Sequence, residues 1–216
     1  MDRAATVSAV EASGVVAVIR LTDAGALRAV VDALSAGGVR ALEVTMTVPR
    51  AIEMIAEIAP TLRPEAVLGA GTVLDAATAR AAVAAGARYV VSPVFRREVI
   101  AACHETGAAA MPGCFTPTEI LDAWEAGADV VKVFPATALG PSYFRDLRGP
   151  LPHLKLMPTG GVSLANAGDW IRAGAVVIGV GTALVDPKAV AAGRFDEITR
   201  RAEEFVAAVA AARSAR

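Results

Sequence analysis

Histidine and cysteine are scarce in this sequence, with two of each among 216 residues. Cys103 and Cys114 are too few for a disulfide framework, which points to a reducing compartment and to a packing role for both thiols. Because only His104 and His153 are available as imidazole ligands, a metal site would consist almost entirely of carboxylates. The composition therefore disfavours a metal-dependent function.

An excess of charge of one sign is also lacking, since 21 Lys and Arg residues balance 22 Asp and Glu residues to a net charge of −1. Such a chain has no field that would attract nucleic acid or an acidic membrane surface. Residues 1–10 contain no apolar segment typical of a signal peptide, and no apolar run is long enough to span a bilayer. We expect a cytoplasmic protein with neither nucleic-acid nor membrane partners.

Aromatic residues make up only 5% of the chain, whereas 55% of the residues are hydrophobic. The core must therefore consist mainly of Ala, Val, Leu and Ile, as in parallel sheets covered by helices. This composition favours the α/β class. At this length one hydrophobic core can serve the whole chain, so we expect residues 1–216 to form a single domain.

A short sequence motif recurs along the chain. In it, a helical stretch ends at glycine and a β-branched or apolar run follows. Its glycines would end helices in the left-handed conformation, which costs glycine less than any other residue. They are Gly37, Gly86, Gly107, Gly127 and Gly174. The spacing is 21 residues from Gly86 to Gly107 and 20 from Gly107 to Gly127, and it roughly doubles in the two larger gaps. Each of the two longer intervals therefore contains one further strand-helix unit, and the helices of these units would end near Pro60 and Pro150.

The spacing thus predicts eight strand-helix units and a (β/α)8 TIM barrel with an extra N-terminal helix over Met1–Ser13. A long closing helix is predicted over Phe195–Ala212. No glycine fingerprint of a dinucleotide-binding open sheet follows the first strand. The predicted strands are Val15–Arg20, Ala41–Thr45, Val67–Ala70, Tyr89–Ser92, Ala108–Met111, Val130–Phe134, Leu154–Pro158 and Val176–Gly179.

Three charged residues lie in or at the ends of predicted apolar strands, where burying a charge is costly unless a partner or a function compensates. They are Arg20, Glu43 and Lys132, in strands one, two and six. In a barrel these strands end on the same face, so the three side chains can converge on one ligand.

Lys132 is the most informative of them, because the chain has only three lysines and uses arginine elsewhere. An amine in an apolar setting loses its proton more easily and can form an imine with a carbonyl, which a guanidinium cannot do. The alternative is a lysine whose ammonium reaches solvent from the strand. Lys155 lies near the start of a strand and Lys188 at a helix start, so neither competes as a nucleophile.

Glu43 is a candidate proton-transfer group, since burial would raise its pKa into a useful range. Alternatively, it is a buried ion-pair partner of Arg20 or Lys132 with no chemical role. The planar guanidinium of Arg20 could bind a substrate carboxylate or a phosphate equally well.

Glycine turns follow the last two predicted strands, at residues 159–162 and 179–182. Loops at these positions of a barrel commonly bind phosphate through backbone N–H groups and a helix N-terminus. Gly160, Gly161, Gly181 and Thr182 are therefore candidate phosphate ligands.

At these residues the chain resembles the family of 2-keto-3-deoxy-6-phosphogluconate (KDPG) and 4-hydroxy-2-oxoglutarate (KHG) aldolases, which act through a lysine Schiff base. The likeness extends over nearly the whole chain. The matching phrases are Val15–Arg20, Gly38–Thr45, Gly69–Thr72, Ser92-Pro93, Pro112-Gly113 with Thr116, Lys132–Ala136 and Pro158–Gly161.

The resemblance implies a cofactor-free aldolase in which Lys132 forms the imine and Glu43 transfers protons. It further implies that Thr72, Pro93, Phe134 and Thr159 shape the pyruvate pocket, while Gly160, Gly161 and Thr182 hold the phosphate. The substrate would be a small 2-keto acid made of pyruvate and a phosphorylated aldehyde, and the assembly would be a homotrimer.

One position departs from the family pattern. Better-known members carry an arginine four residues after the glutamate, where this chain has Thr47, and its nearest arginine is Arg50. The preferred aldehyde therefore stays open between KDPG, KHG, which yields pyruvate and glyoxylate, and a related 2-keto-3-deoxy-sugar acid. Two other classes stay open: a phosphosugar isomerase or epimerase, which shares the glycine turns, and a non-catalytic metabolite-binding barrel, in which Glu43 and Lys132 would be only a buried ion pair.

Overall fold

The computed structural model describes residues 1–215. Strands and helices alternate along this range, as the recurrent sequence motif predicts. The strands are β1 (Val15–Ile19), β2 (Ala41–Thr45), β3 (Val67–Gly71), β4 (Tyr89–Val91), β5 (Ala109–Met111), β6 (Gly113–Cys114), β7 (Val131–Val133), β8 (Leu156–Pro158) and β9 (Ile178–Val180).

The helices follow the strands and cover them. They are α1 (Arg3–Ser13), α2 (Leu27–Ala36), α3 (Ala51–Ile58), α4 (Ala76–Ala84), α5 (Arg97–Glu105), α6 (Pro117–Glu125), α7 (Pro141–Arg148), α8 (Leu164–Arg172), α9 (Pro187–Ala191) and α10 (Phe195–Ser214), with short 3-10 turns at Ala24–Ala26, Ala59–Thr61 and Ala136–Ala138. Within residues 1–215, none of the helices has both the length and the apolar character that crossing a membrane requires.

All strand pairs are parallel, so every paired strand runs in the same sense as its neighbours. One sheet has six strands in the order β5-β4-β3-β2-β1-β9, and the other has three in the order β6-β7-β8. Only Pro112, which lacks a backbone N–H, separates β5 from β6. An isolated parallel bridge joins Thr159, just after β8, to Gly179 in β9. The predicted α/β class is confirmed, and the carboxyl ends of the strands lie at one end of the molecule.

The predicted strands coincide with observed ones to within two residues at their ends, and the predicted extra helix is α1. Several boundaries are wrong by one or two residues. Arg20 lies beyond the end of β1, the predicted fifth strand continues after Pro112 as β6, and the last strand begins at Ile178. Strand boundaries depend on which backbone groups find partners, and the sequence pattern alone does not specify that.

Four of the five proposed helix-ending glycines have the left-handed backbone, with φ of +117° at Gly86, +74° at Gly107, +98° at Gly127 and +112° at Gly174. Gly37 was wrongly assigned, because its φ is −79° and the left-handed residue is Gly38, at +87°. Gly37 is required for another reason: a side chain there would collide with α10.

Helix α1 covers the amino ends of the strands. Its Val7 and Val10 are buried in the same apolar cluster as Val16, Ala41 and Tyr89 from the strand interior. Asp2 begins the helix by accepting a 2.8 Å hydrogen bond from the Ala5 N–H. The amino end is therefore sealed by packing, which leaves the carboxyl end for a site.

Both cysteines are buried free thiols, as the packing interpretation requires. Burial raises the pKa of Cys103 and of Cys114 to about 12. At neutral pH both are protonated and unreactive.

Candidate active site

Lys132 lies in the middle of β7, and only 3% of its surface is exposed. Burial lowers the pKa of its ammonium, an effect opposed by the negative charge of Glu43 and reinforced by the positive charge of Arg20. Its Nζ lies 5.0 Å from the centroid of the Phe134 ring. The amine is therefore enclosed and does not reach solvent, contrary to the alternative interpretation.

The other two lysines lie elsewhere. Lys155 precedes β8 and pairs with Glu11 of α1 at 2.7 Å, at the amino end of the strands. Lys188 is exposed in the first turn of α9. Of the three lysines, only Lys132 combines burial with a position among the inward-facing strand residues.

Glu43, in β2, is 1% exposed, and neither of its carboxylate oxygens has a hydrogen-bond partner among residues 1–215. Burial raises the pKa of this carboxyl, while the positive charges of Lys132 and Arg20 oppose the rise. No ion pair within 4.0 Å joins Glu43 to either cation in residues 1–215. The charges are close enough to interact, yet the side chain is not held in the salt bridge that the structural alternative assumed.

Inward-facing glycines make room for these side chains. Gly69 and Gly71 of β3 lie opposite Glu43 and Thr45 of β2 in the strand register. A Cβ at Gly71 would overlap the Glu43 carboxyl group, and a Cβ at Gly69 would overlap the ring of Tyr89. The interior of the sheet is therefore open at the level where Glu43 projects.

Sequence reasoning missed Tyr89. It is fully buried in β4, and its backbone pairs in register with Gly69. Its hydroxyl has no hydrogen-bond partner in the described part of the chain. Burial and the negative charge of Glu43 both raise the pKa of its phenol. A polar tyrosine in an otherwise apolar strand, opposite a glycine, is the pattern that could have identified it.

A cavity of about 320 Å³ opens at the carboxyl ends of β1, β8 and β9. Seven of the predicted site residues share it: Arg20, Phe134, Thr159, Gly160, Gly161, Gly181 and Thr182. The remaining lining residues are Val18, Val162, Ser163, Gly179 and Ala183. The structure thus brings together the predicted anion site and one wall of the predicted pyruvate pocket.

The floor of this cavity is suited to an anion. Gly160 and Gly161 have φ of +89° and +70°, a conformation that favours glycine and leaves the backbone uncovered. Ser163 begins helix α8 in a capping box with Asn166, and its backbone N–H donates to the Asn166 Oδ1 at 2.9 Å. Exposed backbone and a helix N-terminus together attract negatively charged groups.

Thr159 provides an unused polar group in the same cavity. It is 4% exposed, and none of the described residues forms a hydrogen bond with its Oγ1. Gly179 approaches this hydroxyl so closely that a Cβ there would overlap it. Since a buried hydroxyl without a partner costs free energy, Thr159 is poised to bind a polar ligand atom.

Thr72 and Pro93 are not in the lining of the 320 Å³ cavity. Thr72 follows β3 with a left-handed φ of +59°, and Pro93 follows β4 with its carbonyl against Gly113. They lie at the carboxyl ends of β3 and β4, the next two strands after β2 in the sheet order. Phe134 connects the two regions, because it lines the cavity and also contacts the Lys132 ammonium.

Within residues 1–215, no group of three or more His, Cys, Asp or Glu side chains is placed to hold a metal ion. The polar groups of the site are instead one amine, one carboxyl, one guanidinium, hydroxyls and bare backbone. This set can form an imine, transfer protons and bind anions.

Comparisons with known proteins agree with this chemistry. A family model described as KDPG and KHG aldolase matches residues 7–201. The 2-dehydro-3-deoxy-phosphogluconate aldolase of Treponema pallidum is 39% identical over 173 residues, which cover 80% of this chain and 82% of that protein.

Two solved structures are similar over most of the chain. KDPG aldolase from Legionella pneumophila, with pyruvate captured at low pH as a covalent carbinolamine intermediate, has a TM-score of 0.85 and 29% identity, covering 93% of this chain and 97% of that one. A cube-shaped protein cage designed by fusing symmetric oligomeric domains has a TM-score of 0.87 and 30% identity, covering 94% and 74% of the two chains.

Proposed function

The chain belongs to the KDPG and KHG aldolase family, and on that premise we propose that it is a class I aldolase, a lyase that cleaves KDPG to pyruvate and glyceraldehyde 3-phosphate. The observation that carries the proposal is the buried, unpaired amine of Lys132 beside the buried carboxyl of Glu43. Burial lowers the proton affinity of the first group and raises that of the second. The first shift favours the neutral amine that forms an imine, and the second makes the Glu43 carboxylate a stronger base for proton transfer.

In the proposed reaction the Lys132 amine attacks the C2 carbonyl of the substrate, and water leaves as the imine forms. Glu43 accepts the proton of the C4 hydroxyl while the C3–C4 bond breaks, and the bonding electrons pass to the imine. The aldehyde departs, the enamine carbon takes a proton, and water hydrolyses the imine to release pyruvate. No metal or organic cofactor takes part.

The binding groups divide between the two halves of the substrate. Thr72, Pro93, Phe134 and Thr159 enclose the pyruvate half around Lys132. Gly160, Gly161, Gly181 and Thr182 bind the phosphate of the aldehyde half, supported by the uncovered backbone at the first two positions. Arg20 lines the cavity at the glycine turns, and its positive charge acts on both Glu43 and Lys132.

A second candidate substrate is KHG, favoured by the surroundings of Thr47. Its hydroxyl lies 2.7 Å from that of Thr45, and the guanidinium of Arg50 lies 3.9 Å from Glu57 in its own helix. The nearest arginine in the sequence is thus engaged with Glu57, and Thr47 itself offers a neutral hydroxyl where family members have a cation. An isomerase or epimerase is disfavoured, since neither needs a buried amine.

We also propose that the two sheets close into one eight-stranded barrel that forms a single domain. Two observations support closure: β5 and β6 are consecutive across Pro112, and the Thr159–Gly179 bridge spans the other seam. A homotrimer is proposed from the family resemblance, and the similarity to a cage built from symmetric oligomeric domains supports self-association. A cytoplasmic location is proposed from the sequence.

Borohydride reduction in the presence of pyruvate tests the function. We expect covalent attachment of pyruvate to Lys132, found by peptide mapping, together with loss of activity, because only this amine is both buried and inward-facing. Lys132→Arg is the control, since it keeps the charge and cannot form an imine. A label on Lys155 or Lys188, or no label at all, would contradict the mechanism.

A further inference from the structure

Tyr89 is a buried titratable residue that the proposed reaction leaves unused. Its side chain is fully buried in the interior of the sheet, in the apolar cluster that contains Val16 and Ala41. Among residues 1–215, none forms a hydrogen bond with its hydroxyl. A phenylalanine would fill the same space without the cost of burying a hydroxyl that lacks a partner, so the hydroxyl itself requires an explanation.

Tyr89 and Glu43 lie in one row of the six-stranded sheet. Gly69 of β3 is the register partner of both, with Glu43 on one side in β2 and Tyr89 on the other side in β4. Register partners project from the same face of a sheet, so both side chains enter the interior at the same level. The position between them has no side chain that could separate them.

The ends of the two side chains also rest on the same strand. A Cβ at Gly69 would overlap the ring carbons Cε2 and Cζ of Tyr89, and a Cβ at Gly71 would overlap Oε1 of Glu43. Gly69 and Gly71 are two residues apart on one face of β3, so these two contact points are about 6.6 Å apart. A water molecule that joins two oxygen atoms by hydrogen bonds spans about 5.6 Å. The spacing therefore fits a phenol and a carboxylate joined by one water.

The hydrogen-bonding capacities of the two groups are complementary. The ionised Glu43 carboxylate can only accept hydrogen bonds, and neither of its oxygens has a partner within the described residues. Burial and the negative charge of Glu43 raise the pKa of the Tyr89 phenol, which therefore stays protonated and can donate. The other charges acting on Glu43 are those of Lys132 in β7 and Arg20 after β1. An enclosed water has the two to four polar partners that it needs at such a place.

We propose that Tyr89 is a positioning residue for Glu43: its hydroxyl donates to an enclosed water molecule, which in turn donates to the Glu43 carboxylate. Tyr89 keeps its proton throughout and does not touch the substrate. The chain of hydrogen bonds holds the carboxylate in the orientation in which it accepts a proton, and it stabilises the ionised form. The inference rests on the proposed Schiff-base function.

The test measures the pH dependence of kcat for KDPG cleavage in Tyr89→Phe. Because kcat refers to the bound complex, in which Lys132 is already an imine, its acid limb reports the ionisation of Glu43. Losing a hydrogen bond to the carboxylate disfavours the ionised form, so the pKa of Glu43 should rise further. We expect the acid limb to move up by about one pH unit, with kcat about tenfold lower on its acid side and KM unchanged. An unmoved limb would show that Tyr89 only fills space.

The only other tyrosine of the chain provides the matched control. The Tyr143 hydroxyl donates a 2.9 Å hydrogen bond to the carbonyl of Phe115, so Tyr143→Phe also removes one phenol but should leave the acid limb at its native position. Equal shifts in the two variants would contradict the assignment. In a Glu43→Gln background, Tyr89→Phe should cause little further loss of cleavage, because the amide does not ionise; additive losses would overturn the proposal.

Tyr89→Met serves if Tyr89→Phe folds poorly, since methionine adapts to irregular space in a core and has no hydroxyl. It should move the acid limb in the same direction. Borohydride trapping of pyruvate in the native protein separates the two proposals. An unmoved limb with normal labelling of Lys132 overturns the role of Tyr89 alone, whereas absence of labelling overturns the Schiff-base function itself.

Discussion

At the residue scale, the character of the site comes from burying two opposite charges without pairing them. Lys132 and Glu43 are 3% and 1% exposed, and neither has an ion-pair partner within 4.0 Å among residues 1–215. A salt bridge would have stabilised both charged forms and reduced their reactivity. Because the two groups are buried without forming a salt bridge, the pKa of the Lys132 amine is lowered and the pKa of the Glu43 carboxyl is raised.

Replacing the carboxyl of Glu43 by an amide tests its proton-transfer role. We expect Glu43→Gln to form the pyruvate imine, slowly, while KDPG cleavage falls by about two to four orders of magnitude, the usual contribution of a positioned acid-base group. Steady-state cleavage and borohydride labelling measure the two steps separately. A variant that unfolds, yet has normal activity per folded molecule, would show that Glu43 is only structural.

Replacing the exposed Thr47 should change which aldehyde portion of the substrate is preferred, without changing the binding of pyruvate. We expect the native enzyme to prefer KDPG over KHG, and Thr47→Arg to widen this preference by roughly one to two decades, since a charge-assisted hydrogen bond is worth about 1.5–3 kcal/mol. The ratio of the two kcat/KM values measures it. Thr47→Gln, long but neutral, is the control, and an unchanged ratio in Thr47→Arg would mean that another group such as Arg50 already fills the role.

At the scale of elements, the side chains of one strand limit which residues fit on the adjacent strand. Strand β3 has glycine at the two positions that pair with Glu43 and Thr45 of β2. In a core strand glycine usually weakens the structure, so its presence here indicates that neighbouring side chains need the space. The alternation Gly69-Ala70-Gly71 is therefore part of the site, although neither glycine has a side chain that could react.

Adding a methyl group at Gly71 tests this coupling between strands. We expect Gly71→Ala to displace the Glu43 carboxyl and to lower KDPG cleavage by about tenfold to a hundredfold, because misplacement by about 1 Å costs that much. Labelling of Lys132 by pyruvate should persist. The double variant Gly71→Ala/Glu43→Gln should lose little beyond Glu43→Gln alone; additive losses would show that Gly71 acts by another route.

At the scale of the whole molecule, helix α10 packs across α2 and α8 and joins distant parts of the chain. Its Thr199 hydroxyl donates a 3.1 Å hydrogen bond to the carbonyl of Ala33 in α2. Gly37, directly after α2, lies against Ala202 and the carbonyl of Thr199. The close approach of the two helices at this glycine holds the closing helix against the strand-helix units.

Gly37→Ala should therefore weaken the fold without affecting the site. Since φ at Gly37 is −79°, alanine meets no backbone strain, and the expected loss of about 1–3 kcal/mol in the free energy of unfolding comes from overpacking against α10. Denaturant unfolding measures the loss. Gly149→Ala is the control: its φ is −54° and its added methyl group makes only ordinary contact, so a comparable loss there would exclude the packing explanation.

Much of this architecture was predictable because it depends on local patterns. Apolar runs alternating with glycine helix stops predict parallel strands and helices, and four of the five assigned glycines have the required left-handed backbone. Gly37 was wrongly assigned a left-handed backbone. Glycine is required there because α10, more than 160 residues further along the chain, leaves no room for a side chain.

The sequence by itself determined the α/β class and the order of units, and it singled out Lys132 and Glu43 as candidate reactive residues, because the scarcity of lysine and the charges inside apolar strands are visible without coordinates. Only the tertiary structure decided that Lys132 and Glu43 are buried without an ion pair among residues 1–215, that Gly71 lies against the Glu43 carboxyl, and that Arg20 lines the cavity at the glycine turns. The physical reason is that burial, pKa and cavity shape depend on residues from different strands, and their separation in space is not encoded in any local pattern.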